Sequence, residues 1–200
     1  MFNRVMLFAM LSMLILCLAG CGGGEETKQA SQPAAAPAPP KVEEKVPVYE
    51  LTKDDITSHE GWTSRNISIL GVKLGDKTRD VEKNFGPVEN TRTLPEEYLT
   101  IYQSSGLFVY TYKLTGKVRR IEVYDTFAKK ITDEKIKKVL TTGDLKTMRE
   151  VFGMEEGSEP NAEDNSTEYS YDSRGFRFVK FKVKGRTLNA IRFYELKKTT

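Results

Sequence analysis

Histidine and cysteine are scarce in this chain of 200 residues, which contains one histidine and two cysteines. A protein zinc site takes three or four convergent ligands, so this composition predicts no metal site of that kind. The single histidine, His59, lies beside Glu60 and is predicted to be a surface residue. The Gly-x-Ser-x-Gly, P-loop and dinucleotide-binding fingerprints are also missing from the sequence. We therefore predict a protein that is not an enzyme and has no metal or cofactor.

Two pairs of adjacent carboxylates, Asp54-Asp55 and Glu96-Glu97, are the remaining candidates for acid–base chemistry. Both pairs lie in polar segments, where such charges are typical of helix starts and soluble loops. Catalysis by a carboxylate pair that the sequence does not identify remains an alternative.

Long hydrophobic runs are also few, and the clearest is Val5–Ala19, which is apolar except for Ser12 and follows Arg4. This run of 15 residues is shorter than the roughly 20 residues that a membrane-spanning helix needs. A positive residue, a short apolar run and small residues after it are typical of a secretory signal peptide. We predict that residues 1–20 are removed from the mature protein.

The end of this run, Leu18-Ala19-Gly20-Cys21, resembles the lipobox of bacterial lipoproteins. The resemblance implies that diacylglycerol is attached to the Cys21 thiol, that the chain is cut before it, and that a fatty acid such as palmitate acylates the new amino group. Stable anchoring takes about two acyl chains, which a diacylglyceryl cysteine supplies alone. The alternatives are an uncleaved membrane span and an ordinary secretory signal.

The resemblance also implies an extracytoplasmic location. In a cell with an outer membrane, the protein would lie on its periplasmic side, because Gly22 differs from the Asp-type retention signal of the inner membrane. Cleavage would remove Cys17, so the folded part would have no disulfide and no free thiol. A hydrophobic core must then stabilise it, and about 150 residues suffice for one.

Neither sign of charge dominates, since 31 Lys and Arg residues balance 28 Asp and Glu residues at a net charge of +3. Nucleic-acid-binding domains usually show a one-sided basic excess, so we predict no nucleic-acid partner. Weak attraction of local basic clusters to anionic lipid headgroups is the alternative.

The composition changes at about residue 48. Residues 21–47 contain the lipidated cysteine and a linker rich in Pro, Ala and Gly, which we predict to be disordered with a tendency to polyproline II. Residues 48–200 contain the aromatic and β-branched residues of a globular domain. Within this domain, four short motifs recur in the same order, which predicts repeats at about 50–127 and 131–197. The matched pairs are Gly75-Asp76 with Gly143-Asp144, Phe85-Gly86 with Phe152-Gly153, Tyr102 and Gly106 with Tyr171 and Gly175, and Ile121–Tyr124 with Ile191–Tyr194.

Each repeat is predicted to contain short helices followed by three strands. The predicted helices are Thr78–Phe85, Thr132–Thr141, Asp144–Phe152 and, more weakly, Thr52–Ser58. The predicted strands are Tyr98–Gln103, Leu107–Leu114, Lys117–Asp125, Ser166–Asp172, Phe176–Val183 and Thr187–Leu196. The acidic segment Glu155–Asn165 is predicted to be a mobile surface loop. The predicted fold class is α+β, with two tandem repeats, each a short helical pair packed on an antiparallel β-meander, and the two sheets joined into one curved sheet.

This repeated pattern resembles the β-lactamase-inhibitor-protein-like fold. Its single-copy form resembles the assembly lipoproteins of the SmpA/OmlA (BamE) family, through Leu74-Gly75-Asp76, a short helix and Phe85-Gly86-Pro87. The resemblance covers about residues 67–196. It implies a sheet surface that binds other proteins.

Strand alternation divides the side chains between two faces of the predicted sheet. The core is predicted to contain Tyr110, Tyr112, Leu114, Ile121, Val123, Val179, Phe181, Val183, Ile191 and Phe193. The candidate binding face contains Tyr102, Val109, Arg120, Tyr124, Tyr171, Phe176, Phe178, Arg192 and Tyr194. Tyr, Phe and Arg on an uncovered face match the composition of interface hot spots. Ordinary cross-strand pairs that stabilise a one-sided sheet are the alternative.

We therefore predict a membrane-anchored envelope lipoprotein that acts as a non-catalytic binding module for a protein or another ligand. An envelope protein, a secreted enzyme and a cell-wall polymer are the candidate partners. A scaffold or assembly lipoprotein of an envelope complex is the alternative, and an enzyme on the same fold is a third.

Overall fold

Antiparallel β-structure dominates the described part of the chain. The computed structural model describes residues 46–53 and 61–196. Two very short parallel strands come first, β1 (Tyr49–Glu50) and β2 (Ile67–Ser68). The strands that follow, all in one sheet, are β3 (Asn90–Thr93), β4 (Glu97–Tyr102), β5 (Leu107–Tyr112), β6 (Lys117–Tyr124), β7 (Gly157–Asn161), β8 (Ser166–Tyr171), β9 (Phe176–Val183) and β10 (Arg186–Tyr194). Their spatial order is β3-β4-β5-β6-β10-β9-β8-β7.

The sheet consists of two four-stranded halves that meet at β6 and β10. Within each half, strands that follow one another along the chain are neighbours, as in a meander. At the seam, β6 and β10 pair antiparallel, from Arg120 opposite Tyr194 to Tyr124 opposite Ala190. The first strand of each half, β3 or β7, therefore forms an edge of the sheet.

Three α-helices occur in the described part of the chain: α1 (Thr78–Phe85), α2 (Glu134–Thr142) and α3 (Leu145–Phe152). The carboxylate of Asp133 accepts hydrogen bonds from two backbone N–H groups at the start of α2, and Asp144 does the same for α3. These bonds satisfy donors that a helix leaves unpaired at its N-terminus. None of these helices has both the length and the hydrophobicity needed to cross a membrane.

The main hydrophobic core lies between the helices and one face of the sheet. Apolar residues of α1, α2 and α3, together with Trp62, pack there against side chains of the strands. The contributing strand residues include Tyr102, Leu107, Val109, Ile121, Val123, Tyr171, Phe176, Phe178, Ile191 and Phe193. Burial of this apolar surface is the main source of stability for the fold.

The predicted fold class is wrong. The described residues form mostly β-structure, with a single eight-stranded antiparallel sheet and a few short helices, and not two repeats of a helical pair on a meander. The first half has α1 as its α-helix in the described residues, and most of the predicted helix Thr52–Ser58 lies outside them.

The sequence pattern did not predict the two edge strands, β3 and β7. The other six strands of the large sheet and the three helices lie within two residues of their predicted ends. By contrast, β3 has the sequence Asn-Thr-Arg-Thr, which has no apolar alternation, and β7 contains Gly157 and Pro160 within the segment predicted to be a mobile loop. Glycine and proline normally mark turns, but proline is also tolerated on an edge strand, where one row of N–H groups has no partner.

Replacement of Phe178 by alanine is predicted to lower the free energy of unfolding by about 3–5 kcal/mol, because it leaves a cavity in the core. The side chain of Phe178 is fully buried and lies directly opposite Ile191. Leu114→Ala is the control, since Leu114 is 84% exposed and should change stability by about 0.5 kcal/mol or less. Urea unfolding followed by circular dichroism measures both. A loss of under about 1 kcal/mol for Phe178→Ala would contradict this core assignment.

Candidate binding face

The register of the strands decides which side chains face the helices. Val109 is directly opposite Ile121, and Phe178 is directly opposite Ile191. Directly opposite residues in an antiparallel sheet project to the same face. Val109 and Phe178 therefore project into the core with their partners. We call the other face, which points away from the helices, the open face.

The structure divides the predicted binding face between the two sides of the sheet. Buried in the core are Tyr102, Val109, Tyr171, Phe176 and Phe178, each at most 1% exposed. On the open face lie Arg120, Tyr124, Arg192 and Tyr194. The assignment of the first five residues to an uncovered face is therefore wrong. A binding role for the other four stays a prediction.

A one-residue slip explains this error. Tyr110, Val179 and Phe181 were assigned to the core, but each belongs to an apolar cluster on the open face. In β5 and β9 both alternating sets of side chains contain aromatic or aliphatic residues, so hydrophobicity alone does not choose between the two faces. A β-bulge also shifts the pairing of β5 with β6 between Tyr110 and Thr111, because β6 has the extra residue Arg119 there, which breaks the alternation of β6.

The prediction that Tyr112, Leu114 and Val183 lie in the core is also wrong. Tyr112 is only partly buried, and Leu114 and Val183 are exposed, at 84% and 38%. Leu114 lies in the turn after β5, beyond the last strand residue, and Val183 lies at the end of β9. Tyr112 alternates with Tyr110, and Val183 with Phe181, so both side chains project to the open face and not toward the helices.

Arg192 joins two buried carboxylates at the centre of the open face. Its Nε lies 2.9 Å from Oε1 of Glu122, and its Nη1 lies 2.6 Å from Oε1 of Glu168. The side chains of Glu122 and Glu168 are only 3% and 4% exposed. Since β6, β10 and β8 carry these residues, one guanidinium group connects both halves of the sheet.

Arg177 extends this chain of ion pairs toward one end of the sheet. Its Nη1 lies 2.7 Å from Oε2 of Glu168, and its Nε and Nη2 each lie 2.9 Å from an oxygen of Asp172. The Tyr194 hydroxyl donates a hydrogen bond to Asp172. Paired hydrogen bonds from arginine to a carboxylate fix the relative orientation of the two groups. The array therefore has a fixed geometry.

The ion pairs determine the protonation state of these carboxylates. Burial raises the pKa of Glu168, but the hydrogen bond from Arg177 and the charge of Arg192 outweigh it, so the pKa lies below its usual value. Asp172 shows the same balance. Burial raises its pKa, but the hydrogen bonds from Arg177 and Tyr194 lower it by more, so the pKa lies below its usual value. Both groups are thus held as carboxylates at neutral pH.

Aromatic side chains line the open face next to the ion pairs. The Arg120 guanidinium stacks on the ring of Tyr110, with its Cζ 3.4 Å from the ring centroid. Burial raises the pKa of Tyr110 to about 12. Farther along, the ring of Tyr124 packs on Phe108, 4.6 Å between centroids, and on Phe181, at 5.9 Å. The hydroxyl of Tyr124 donates to Oε2 of Glu122 at 2.7 Å, which links the aromatic and ionic groups.

Two depressions flank this array. The first, which we call the arginine cleft, has a volume of about 850 Å³ and is lined by Leu94, Pro95, Glu96, Glu97, Arg119, Arg120, Asp172, Arg177, Tyr194, Glu195 and Leu196. The second, which we call the apolar groove, has a volume of about 440 Å³ and is lined by Asn90, Arg92, Ile101, Gln103, Gly106, Phe108, Tyr124, Asp125, Thr126, Arg186 and Leu188. Both have the dimensions of ligand sites.

The other sequence-predicted positions have varied outcomes. Cys21, His59 and Asp54-Asp55 lie outside the described residues. Glu96 and Glu97 lie at the arginine cleft, where the Arg119 guanidinium is 3.8 Å and 3.6 Å from their carboxylates. Among the described residues, no group of three or more His, Cys, Asp or Glu side chains is arranged to hold a metal ion.

Sequence reasoning missed Glu122, Glu168, Asp172 and Arg177. A signal was present, because charged residues occur inside three strands, at Glu122, Glu168 and Arg177. A charge in the middle of a strand that pairs on both sides needs an oppositely charged neighbour on the same face. That requirement could have placed these residues together.

Glu168→Gln is predicted to lower the free energy of unfolding by about 3 kcal/mol at pH 7, because it leaves two arginines without their shared carboxylate. The native pKa of Glu168 is depressed, so its stabilisation is present above the unfolded value of about 4.3 and is lost as the pH falls through the native value. The stability difference between the variant and the natural protein should thus shrink below about pH 4.

Thermal melts between pH 7 and pH 3 measure this difference. Glu159→Gln is the matched control, because Glu159 is 72% exposed and its carboxylate is 3.6 Å from Arg177. We expect a change of no more than about 1 kcal/mol for this control. A difference for Glu168→Gln that stays constant with pH would contradict the ionic role.

Comparisons with known proteins identify no family for this chain. No protein-family model matches it, and no curated protein shows significant similarity. A structure of a DUF4309 family protein, YjgB, from Bacillus subtilis has 13% identity and a TM-score of 0.41, over 60% of this chain and 78% of that one. A cysteine-rich secretory protein from Staphylococcus aureus has 8% identity and a TM-score of 0.33, over 77% of this chain and 55% of that one. These likenesses are too distant to assign a fold or a function.

Proposed function

We propose that this chain is a lipid-anchored protein of the bacterial cell envelope whose open face binds a partner protein without catalysis. One observation supports this proposal above the others. The open face has an ordered array of charged and aromatic side chains, while its apolar clusters contain only residues of the strands and of the β3–β4 loop. In the described residues, the helices contribute to the core cluster on the other face.

The energetics of the array favour recognition over stability as its role. Transferring Glu122 and Glu168 from water costs several kcal/mol per ion, and well-packed apolar residues often stabilise a fold equally well or better. An array of fixed charges gives specificity, because it disfavours partners whose charges do not match. Arg120, Tyr124, Arg192 and Tyr194 supply the residue types that are enriched at interface hot spots.

The predicted lipid anchor and linker are consistent with a folded domain that binds a partner away from the membrane surface. The predicted linker, residues 22–47, is rich in Pro, Ala and Gly, a composition typical of a spacer between an anchor and a folded domain. A domain on such a spacer can contact proteins that are not themselves in the membrane. The proposed partner is therefore an envelope or secreted protein.

Cys21→Ser is predicted to abolish lipidation, because Cys21 supplies the thiol of the lipobox-like motif. Cells that express the full chain are grown with an alkyne-tagged fatty acid, and incorporation is read by in-gel fluorescence. Cys17→Ser is the matched control and should label normally. Label retained by the Cys21→Ser protein would contradict the lipoprotein assignment.

Site-specific photo-crosslinking tests the open face. The full chain is expressed in the bacterium that makes it, with p-benzoylphenylalanine in place of Phe108 on the open face or, as a control, of Leu114 in an exposed turn. We expect light-dependent cross-linking to a discrete protein from position 108 and not from position 114.

Two other results are informative. The same products from both positions, or none from position 108, would contradict the proposed face. Cross-linking from position 108 to several subunits of one stable membrane complex would instead favour a scaffold over a binding module.

A further inference from the structure

We infer that the apolar groove binds an extended peptide segment of the partner that has apolar side chains between two acidic residues. This inference rests on the proposed function and specifies the ligand of the open face. It follows from the apolar floor of the groove, from two arginines that lack acidic partners among the described residues, and from the distance between the strands that carry them.

The floor of the groove is apolar. Ile101, Phe108, Tyr124 and Leu188 line it, and the Phe108 and Tyr124 rings pack together there. Phe108, Tyr124 and Leu188 are only partly buried by the rest of the described chain. Apolar side chains of a ligand would complete their burial, at roughly 25 cal/mol per Å² of surface removed from water.

Two arginines of the groove have no acidic partner within the described ranges 46–53 and 61–196. Arg92 on β3 and Arg186 on β10 are exposed, and neither forms an ion pair or a side-chain hydrogen bond with another described residue. Arg120, Arg177 and Arg192, elsewhere on the same face, each contact at least one carboxylate. Arg92 and Arg186 thus keep free the fork of donors that binds a carboxylate in a bidentate manner.

The position of these arginines favours an elongated ligand. Strands β4, β5 and β6 lie between β3 and β10. At about 4.8 Å per strand, the path across the sheet from β3 to β10 is about 19 Å, which is much longer than a small anion. An extended peptide advances about 3.3 Å per residue, so roughly six residues cover that distance.

The remaining lining residues fit a peptide and limit its charge pattern. Asn90 and Gln103 provide amide groups that can both donate to and accept from a peptide backbone. Asp125, which follows directly after β6, also lines the groove and disfavours a negative charge of the ligand at that point. A linear polyanion would place charge there and would leave the apolar floor unused. The groove therefore favours acidic residues near the ends and apolar ones between them.

Fluorescence anisotropy of the full chain in detergent tests this inference. The probe is a rhodamine-labelled hexapeptide with Glu at both ends and Val-Phe-Thr-Val between them, and its counterpart has Gln at both ends. We expect the Glu peptide to bind and the Gln peptide to bind about tenfold more weakly, as lost charge-assisted hydrogen bonds predict. Arg92→Gln and Arg186→Gln should each weaken binding of the Glu peptide by a similar factor.

Arg65→Gln is the matched control, since Arg65 is an exposed arginine outside the groove, and it should leave the affinity unchanged. Equal affinity for the two peptides, no binding of either, or an equal loss in the Arg65 variant would overturn the inference. So would binding of phosphatidylglycerol vesicles that depends on Arg92 and Arg186 while the Glu peptide fails to bind. If cross-linking from position 108 persists in any of these cases, the proposed function stands and only the ligand assignment fails.

Discussion

The contact between Glu122 and Arg192 is the interaction on which the open face depends. These residues lie directly opposite each other on β6 and β10, where the two halves of the sheet meet. Arg192 also binds Glu168, two strands farther on, so the charge balance of one half requires the other. Loss of Glu122, Arg192 or Glu168 would leave a buried charge without its partner. The free energy of unfolding would then fall by more than the intact set of ion pairs contributes to it.

The two faces of the sheet therefore differ in the contacts that their side chains form. The core face is filled by aromatic and aliphatic side chains that pack on the helices, and it accounts for stability through burial. The open face combines ion pairs with aromatic rings, at a smaller net gain in stability and with more specific geometry. This division is what supports the proposal that the charged array serves recognition.

The sequence predicted the elements better than their arrangement. Caps and glycines located α2 and α3, and alternation located β5 and β9, because these signals depend on local interactions. The face of each strand depends instead on pairing between distant segments. In β9, Phe176, Phe178 and Phe181 are all hydrophobic but do not share a face, so no local pattern separates them. The ion pairs were missed for the same reason: charges within the strands indicate that partners are needed, but the pairing of Glu122 with Arg192 depends on the seam between distant segments.

The seam has a consequence for the order in which the protein folds. A chain is synthesised from its N-terminus, so the first half of the sheet can form as soon as β6 has emerged. Strand β6 then has one edge without a partner until β10, the last strand of the described chain, is available. An unpaired edge next to an apolar face invites association with other chains. During that interval the nascent protein is most vulnerable to aggregation, and pairing with its own final strand ends the exposure.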